Sequence, residues 1–189
     1  MSFCPTRHPP VDWLALRQLS ELSSGLSLIV DCHRSICESC DVQATGLGAP
    51  ALLDRARSST GLPRVLAEWL DRAPHTQWNT TAEGIERMTL SELGRSPVWL
   101  ERRAPTGQNG GWDGDGECFG VILAGAVSVD GSRLSRGDVL ASCTERTVIR
   151  VVSPTAAVLL RGCAGSVTDD TLSVCATGDT SGVGSHLRG

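Results

Sequence analysis

The sequence predicts an α+β protein: short helices over about the first 75 residues, then antiparallel β structure. Two observations carry this. Up to about Arg72, apolar residues recur at helical spacing between Ser, Gly and Pro breaks. From Trp78 onward, short apolar or alternating runs are separated by Gly, Pro, Ser and Asp, the pattern of an antiparallel sandwich or barrel. A hydrophobic content of 40% over 189 residues supports a real core.

The elements follow in order. "VDWLALRQLSEL" places Trp13, Leu16 and Leu19 on one helical stripe, Leu22 continues it, and "SSG" at Ser23–Gly25 stops it. A second helix is expected from about Leu26 into His33. The pattern after Cys40 is looser and breaks at "TGLGAP". "RVLAEWLDRA" sets Val65, Leu66, Trp69 and Leu70 on one side of a further helix, ended by Pro74. The β runs are "MTLSEL", "SPVWLERRA", "CFGVILAGAVSV", "GDVLAS", "TVIRVVS" and "AAVLLRG". "APTGQNGGWDGDGE", Ala104 to Glu117, is expected as a long loop, and the polar stretch from Ser166 as a loose tail. The expected division is a helical domain over 1–76, a β domain over 77–165 and a tail over 166–189.

Composition narrows the function. The formal net charge is −4, and all 17 basic residues are Arg. That balance argues against direct nucleic-acid binding by phosphate neutralisation. No apolar run approaches the ~20 residues that span a bilayer. "MSFCPTRHPP" lacks the order of a secretory signal. The expected location is a reducing cytoplasm, where eight cysteines suggest metal or thiol chemistry more than a disulfide framework.

"CHRSICESC", Cys32 to Cys40, is the most specific stretch. His33 and Cys37 are four residues apart and share a helix face, so both can reach one ion. Cys40 is seven residues from His33, roughly 10 Å along a straight helix at 1.5 Å per residue. Donors to one tetrahedral zinc, each at about 2.0–2.3 Å, cannot be so far apart, so the helix must end or turn near Cys37. Candidates for the fourth donor are His8, Cys4 and Cys32. Cys32 points about 100° away from His33 around a helix, which disfavours it. A hairpin of two helices would return His33 towards His8, the preferred donor, with Cys4 second. A chance clustering of small buried residues and a redox CxxC are the alternatives, the latter lacking the preceding strand of a thioredoxin-like unit.

The spacing His8…His33-x3-Cys37-x2-Cys40 in short helices resembles the zinc-binding anti-sigma domain. "PPVDWLALRQLSELSSGLSLIVDCH" resembles the opening of the ChrR-type anti-sigma factors, which join that domain to a cupin-like β-barrel. The resemblance covers about residues 7 to 163. It implies that His8, His33, Cys37 and Cys40 bind zinc. It also implies a protein partner, an extracytoplasmic-function sigma factor, released on an oxidative signal, with the helix around Val65–Leu70 contacting it. Trp13, Leu16, Leu19, Leu66 and Trp69 are the candidate partner-binding residues. Packing within the chain's own core is the competing role for each.

"GDGECFGVILAGAVSVDGSRLSRGDVLAS" resembles part of a cupin's first motif, with Glu117 at the carboxylate position, Gly125 where the strand turns, and Gly137–Asp138 where the next begins. The histidines of a metal-loaded cupin are missing, and Thr147 stands where a second-motif His is expected. A degenerate, metal-free cupin is therefore expected. Asp113, Asp115 and Glu117 alone lack a full ligand set for a hard cation. Cys118, Cys143 and Cys163 on the β part, with Cys32, are candidate thiol switches, the alternative being small buried hydrophobes. The resulting expectation is a non-enzymatic anti-sigma factor. The alternative is a cupin-type metalloenzyme, an oxygenase or isomerase, with a helical appendage.

Overall fold

A computed structural model describes residues 5–53, 61–72, 77–90, 98–105, 118–142 and 147–163. These form four helices, α1 (Val11–Gln18), α2 (Ser24–Arg34), α3 (Glu38–Gly46) and α4 (Arg64–Arg72). Nine strands follow: β1 (Asn79–Ala82), β2 (Ile85–Thr89), β3 (Val98–Arg103), β4 (Cys118–Ala124), β5 (Ala126–Val129), β6 (Ser132–Ser135), β7 (Val139–Ser142), β8 (Ile149–Val151) and β9 (Ala157–Cys163). The expected 104–117 loop beyond Pro105 and the expected tail lie outside the described residues.

Local hydrogen bonds mark several of the helix ends. Ser23 caps α2 by accepting from the Leu26 amide, and the Pro63 carbonyl receives the first amides of α4, those of Leu66 and Ala67. α1 stops at Gln18, short of the Leu22 that the apolar stripe suggested. Ser20 adopts φ 60°, and the Glu21 amide donates to the Leu16 carbonyl at 2.9 Å, which closes the helix in a Schellman motif.

The strands make two antiparallel sheets, ordered β1-β2-β3-β9-β4-β7 and β6-β5-β8. Gly125, at φ 74°, splits the apolar run 118–129 into β4 on the larger sheet and β5 on the smaller. One core lies between the sheets, where Ile122, Leu140 and Leu159 meet Val127, Leu134 and Ile149. The other face of the six-stranded sheet is apolar too. Its Val98, Leu100, Val121, Leu123 and Leu160 share a core with Leu28, Ile29 and Cys32 of α2 and Leu66 of α4. β4 is apolar throughout because both of its faces are buried, one per core.

Candidate metal centre

The helix break required by the His33–Cys40 spacing is present. α2 ends at Arg34, and the amides of Ile36 and Cys37 both donate to the His33 carbonyl, at 3.0 and 2.8 Å. Cys37 is the N-cap residue of α3 in an extended conformation, φ −102° and ψ 107°. The chain thus turns between the candidate donors, and Cys37 and Cys40 flank the first turn of α3, facing back towards His33.

His8 reaches this corner from the segment preceding α1. Its Nδ1 lies 3.3 Å from Cys40 Sγ and 3.6 Å from Cys37 Sγ. Its ring meets that of His33 edge to face, with centroids 5.5 Å apart. One donor atom from each of His8, His33, Cys37 and Cys40 lies within 4.8 Å of the others. A tetrahedral ion with bonds of 2.0–2.3 Å spaces its donors roughly 3.3–3.8 Å apart, so the four suit one ion. His33, Cys37 and Cys40 are buried; His8 is exposed.

The protonation of His33 fits a metal. Its Nδ1 faces the Gly137 carbonyl oxygen at 2.6 Å, and a carbonyl can only accept, so Nδ1 carries the proton. Nε2 is then an unprotonated acceptor, and it is buried with no hydrogen-bond partner. Burial, reinforced by His8 and opposed by the Gly137 bond and Asp138, pulls the His33 pKa down to about 4, so the ring is neutral near pH 7. A neutral imidazole with one aimed lone pair is the metal-ligating form.

An ion-pair network braces the corner. Asp31 of α2 pairs with Arg17 of α1 at 2.8 Å and lies 3.7 Å from Arg34. Arg34 reaches Asp41 of α3 at 3.0 Å and the Pro50 carbonyl at 2.7 Å. Asp41 in turn accepts from the Leu52 and Leu53 amides. Arg34 is 3% and Asp41 4% exposed, so their charges depend on this pairing.

The other candidate residues are dispersed. Cys32 lies in the core between α2 and the sheet, outside the His8–His33–Cys37–Cys40 group, and burial, with the Asp31 charge adding to it, pushes its thiol far up. Cys118 is buried and disulfide-bonded. The backbone of Cys163 pairs directly opposite it, while Cys143, Asp113, Asp115 and Glu117 lie outside the described residues. Thr147 is buried. Trp13 is half-buried with its ring on Phe119 of β4, centroids 4.7 Å apart. Leu16 and Trp69 are half-buried, Leu66 is fully buried in the helix–sheet core, and Leu19 is 65% exposed. In this arrangement Leu66 offers no surface to a partner.

Some polar residues of structural weight escaped the sequence reading. On the β3 face turned away from the helices, Glu101 is fully buried against Arg87, Arg103 and Arg161. Arg103 also reaches the Ile149 carbonyl on β8 and so ties the two sheets. Arg161 inside the apolar "AVLLRGC" was the available signal, since a charge in a buried strand demands a partner.

A two-nitrogen, two-sulfur corner in short helices, joined to a two-sheet antiparallel unit, defines the architecture. The fold alone is similar to that of a chain in the crystal structure of Rhodobacter sphaeroides SigE in complex with the anti-sigma ChrR. That match has a TM-score of 0.69 at 21% identity and covers 83% of this chain and 98% of that one. An RmlC-like cupin from Ralstonia eutropha matches 48% of this chain and 64% of its own, at 11% identity and TM-score 0.38. KdgF from a Halomonas species matches 46% of this chain and 84% of its own, at 18% identity and TM-score 0.37. No protein-family model and no curated protein sequence matches the chain.

Proposed function

We propose that this chain is an anti-sigma factor that binds an extracytoplasmic-function sigma factor, holds it inactive and releases it on an oxidative or related signal. Binding and release, without chemistry on a substrate, is the activity assigned. What carries the reading is the His8–His33–Cys37–Cys40 cluster, set in a fold shared along 83% of the chain with the ChrR–SigE structure.

In this reading the ion is zinc, suited to two thiolates and two imidazoles and cross-linking helices too short to persist alone. The helical part, assigned to residues 1–76, supplies the docking surface. Val11 and Leu19 at the two ends of α1, and Val42 and Leu47 at α3, are more than half exposed. A groove of about 460 Å³ between α2 and α4 offers a further seat of mixed character, with Leu28, Val65 and Trp69 beside Arg17, Asp31 and Arg72. The β part, assigned to residues 77–165, biases binding because it holds the inner face of α4. A signal acts on that contact only through a free-energy difference between bound and released states.

The test uses the purified full chain and the extracytoplasmic-function sigma factors of the same organism. A one-to-one complex on size exclusion and loss of sigma-dependent run-off transcription are expected. A folded, zinc-loaded chain that forms no complex and leaves transcription intact overturns the assignment.

A further inference from the structure

We propose that the β6–β7 turn is part of the metal centre: Gly137 and Asp138 are positioning residues for His33 and His8, so the β part sets metal affinity. This rests on the metal-site reading above and extends it across the chain.

The four ligands are held in two ways. Cys37 and Cys40 are fixed locally by the N-terminus of α3. His33 and His8 are both held by one turn, about a hundred residues further on. Gly137 gives its carbonyl to His33 Nδ1 at 2.6 Å, fixing the ring's orientation and its tautomer. Asp138, 1% exposed, divides its two oxygens. Oδ2 accepts from the amide and hydroxyl of Ser135, at 2.7 and 3.2 Å, closing the turn itself. Oδ1 accepts from the Thr6 amide, the Thr6 hydroxyl and the Arg7 amide, at 2.7, 3.0 and 2.8 Å. The Val139 amide then donates to the Arg7 carbonyl at 3.0 Å. The next residue is His8.

Steric fit points the same way. Gly137 has φ 90°, and a Cβ there would lie 2.6 Å from Pro5 and 2.9 Å from Ile36. Pro5 belongs to the arm that carries His8, and Ile36 to the break that separates His33 from Cys37. The turn is thus wedged between side chains of the two segments that carry the imidazoles.

The energetic argument is preorganisation. Thr6, Arg7 and His8 are exposed, and ordering such an arm costs conformational entropy. Asp138 orders it before an ion arrives, so binding need not. Loss of outer-shell partners of this kind weakens metal binding by about 10- to 100-fold. Linkage is reciprocal: bound metal must tighten the turn as much as the turn tightens the metal.

Zinc affinity of the full chain is measured by competition with a chromophoric chelator, and the ligand field by the absorption of the Co²⁺ form. Asp138→Ala is expected to bind about 10- to 100-fold more weakly, with Asp138→Asn between it and the parent. Val127→Ala, a destabilising change between the two sheets and away from the site, should leave affinity within about 2-fold. Equal affinity in Asp138→Ala and parent, or an equal loss in Val127→Ala, overturns the proposal while the metal site stands. A parent that binds no ion overturns the metal-site reading itself. A readout without mutation is amide exchange. Zinc should slow exchange at Ser135 and Val139, by about 10-fold or more, and unchanged rates there also overturn the proposal.

Discussion

Nδ1 of His33 lies 2.6 Å from the carbonyl oxygen of Gly137, a residue 104 positions further along the chain. A single hydrogen bond therefore joins the end of α2 to the turn that starts β7. Around it, the apolar face of the six-stranded sheet receives α2 and α4, so the helical and β parts share one core.

The first prediction concerns the ion. The parent should carry close to one zinc per chain after exhaustive dialysis, and Cys37→Ala should lose it. α1, α2 and α3 have 8, 11 and 9 residues, below the ~12–15 at which isolated helices become more than marginal in water. Helicity should fall with the ion, since metal binding and folding are coupled. Metal analysis and far-ultraviolet circular dichroism check both; full zinc retention in Cys37→Ala sinks the site.

The shared core makes a second. Leu66 is fully buried where α4 meets α2 and the sheet. Leu66→Ala should cost about 2–5 kcal/mol of stability, the range for truncating a buried leucine. Denaturant melts should show the helical and β signals shifting together. A shift confined to the helical signal would mean that the two parts unfold separately.

How much of this was legible follows from the range of each interaction. His33, Cys37 and Cys40 were readable because helix geometry over eight residues dictates which donors can meet. α2 and α4 were readable from periodicity, as were the apolar strands. α3 was not, because Glu38–Gly46 has no apolar stripe and exists largely to carry Cys40 and Asp41, with Cys37 at its N-cap. β1 was missed because all four of its residues are exposed, so no alternation marks it. The end of α1 hinged on the left-handed backbone of Ser20, which a serine does not announce. The role of Asp138 depends on Thr6, 132 residues away, and no local pattern carries that. Nor does any local pattern say that the outer face of the sheet would be covered by the chain's own helices.

A third prediction comes from Glu101. Burial pushes its carboxyl up, but the Arg161 and Arg103 guanidiniums, with hydrogen bonds from Arg103 and Arg87, hold it below the ordinary value of 4.5. A depressed folded pKa means the unfolded chain binds the proton first as pH falls. The contribution is therefore complete above about that value and is lost as pH drops through the folded pKa below it. Glu101→Gln should cost about 3–5 kcal/mol near pH 7, because it leaves buried guanidiniums without their carboxylate. The gap between parent and variant should shrink in acid. Denaturant midpoints measured from pH 7 downward check this, and a pH-independent gap refutes it.

The last prediction separates docking from packing. Leu19, at the end of α1, is 65% exposed, whereas Leu66 is fully buried, although both belong to apolar helical stripes. If the sigma factor docks on exposed apolar positions of the helices, Leu19→Asp should weaken the complex while leaving the chain as stable as the parent. The expected loss is at least about 10-fold in affinity, or 1.4 kcal/mol, against a stability change within about 0.5 kcal/mol. Leu66→Ala should behave in the opposite sense, losing stability first. It should also loosen α4 from the sheet, so the surviving folded fraction binds no more weakly per molecule. Titration calorimetry against the sigma factor, with stability measured in parallel, resolves the two. Should Leu19→Asp bind as tightly as the parent while Leu66→Ala binds far less, docking runs through the face of α4 now covered by the sheet. The partner would then have to displace that sheet before it could bind.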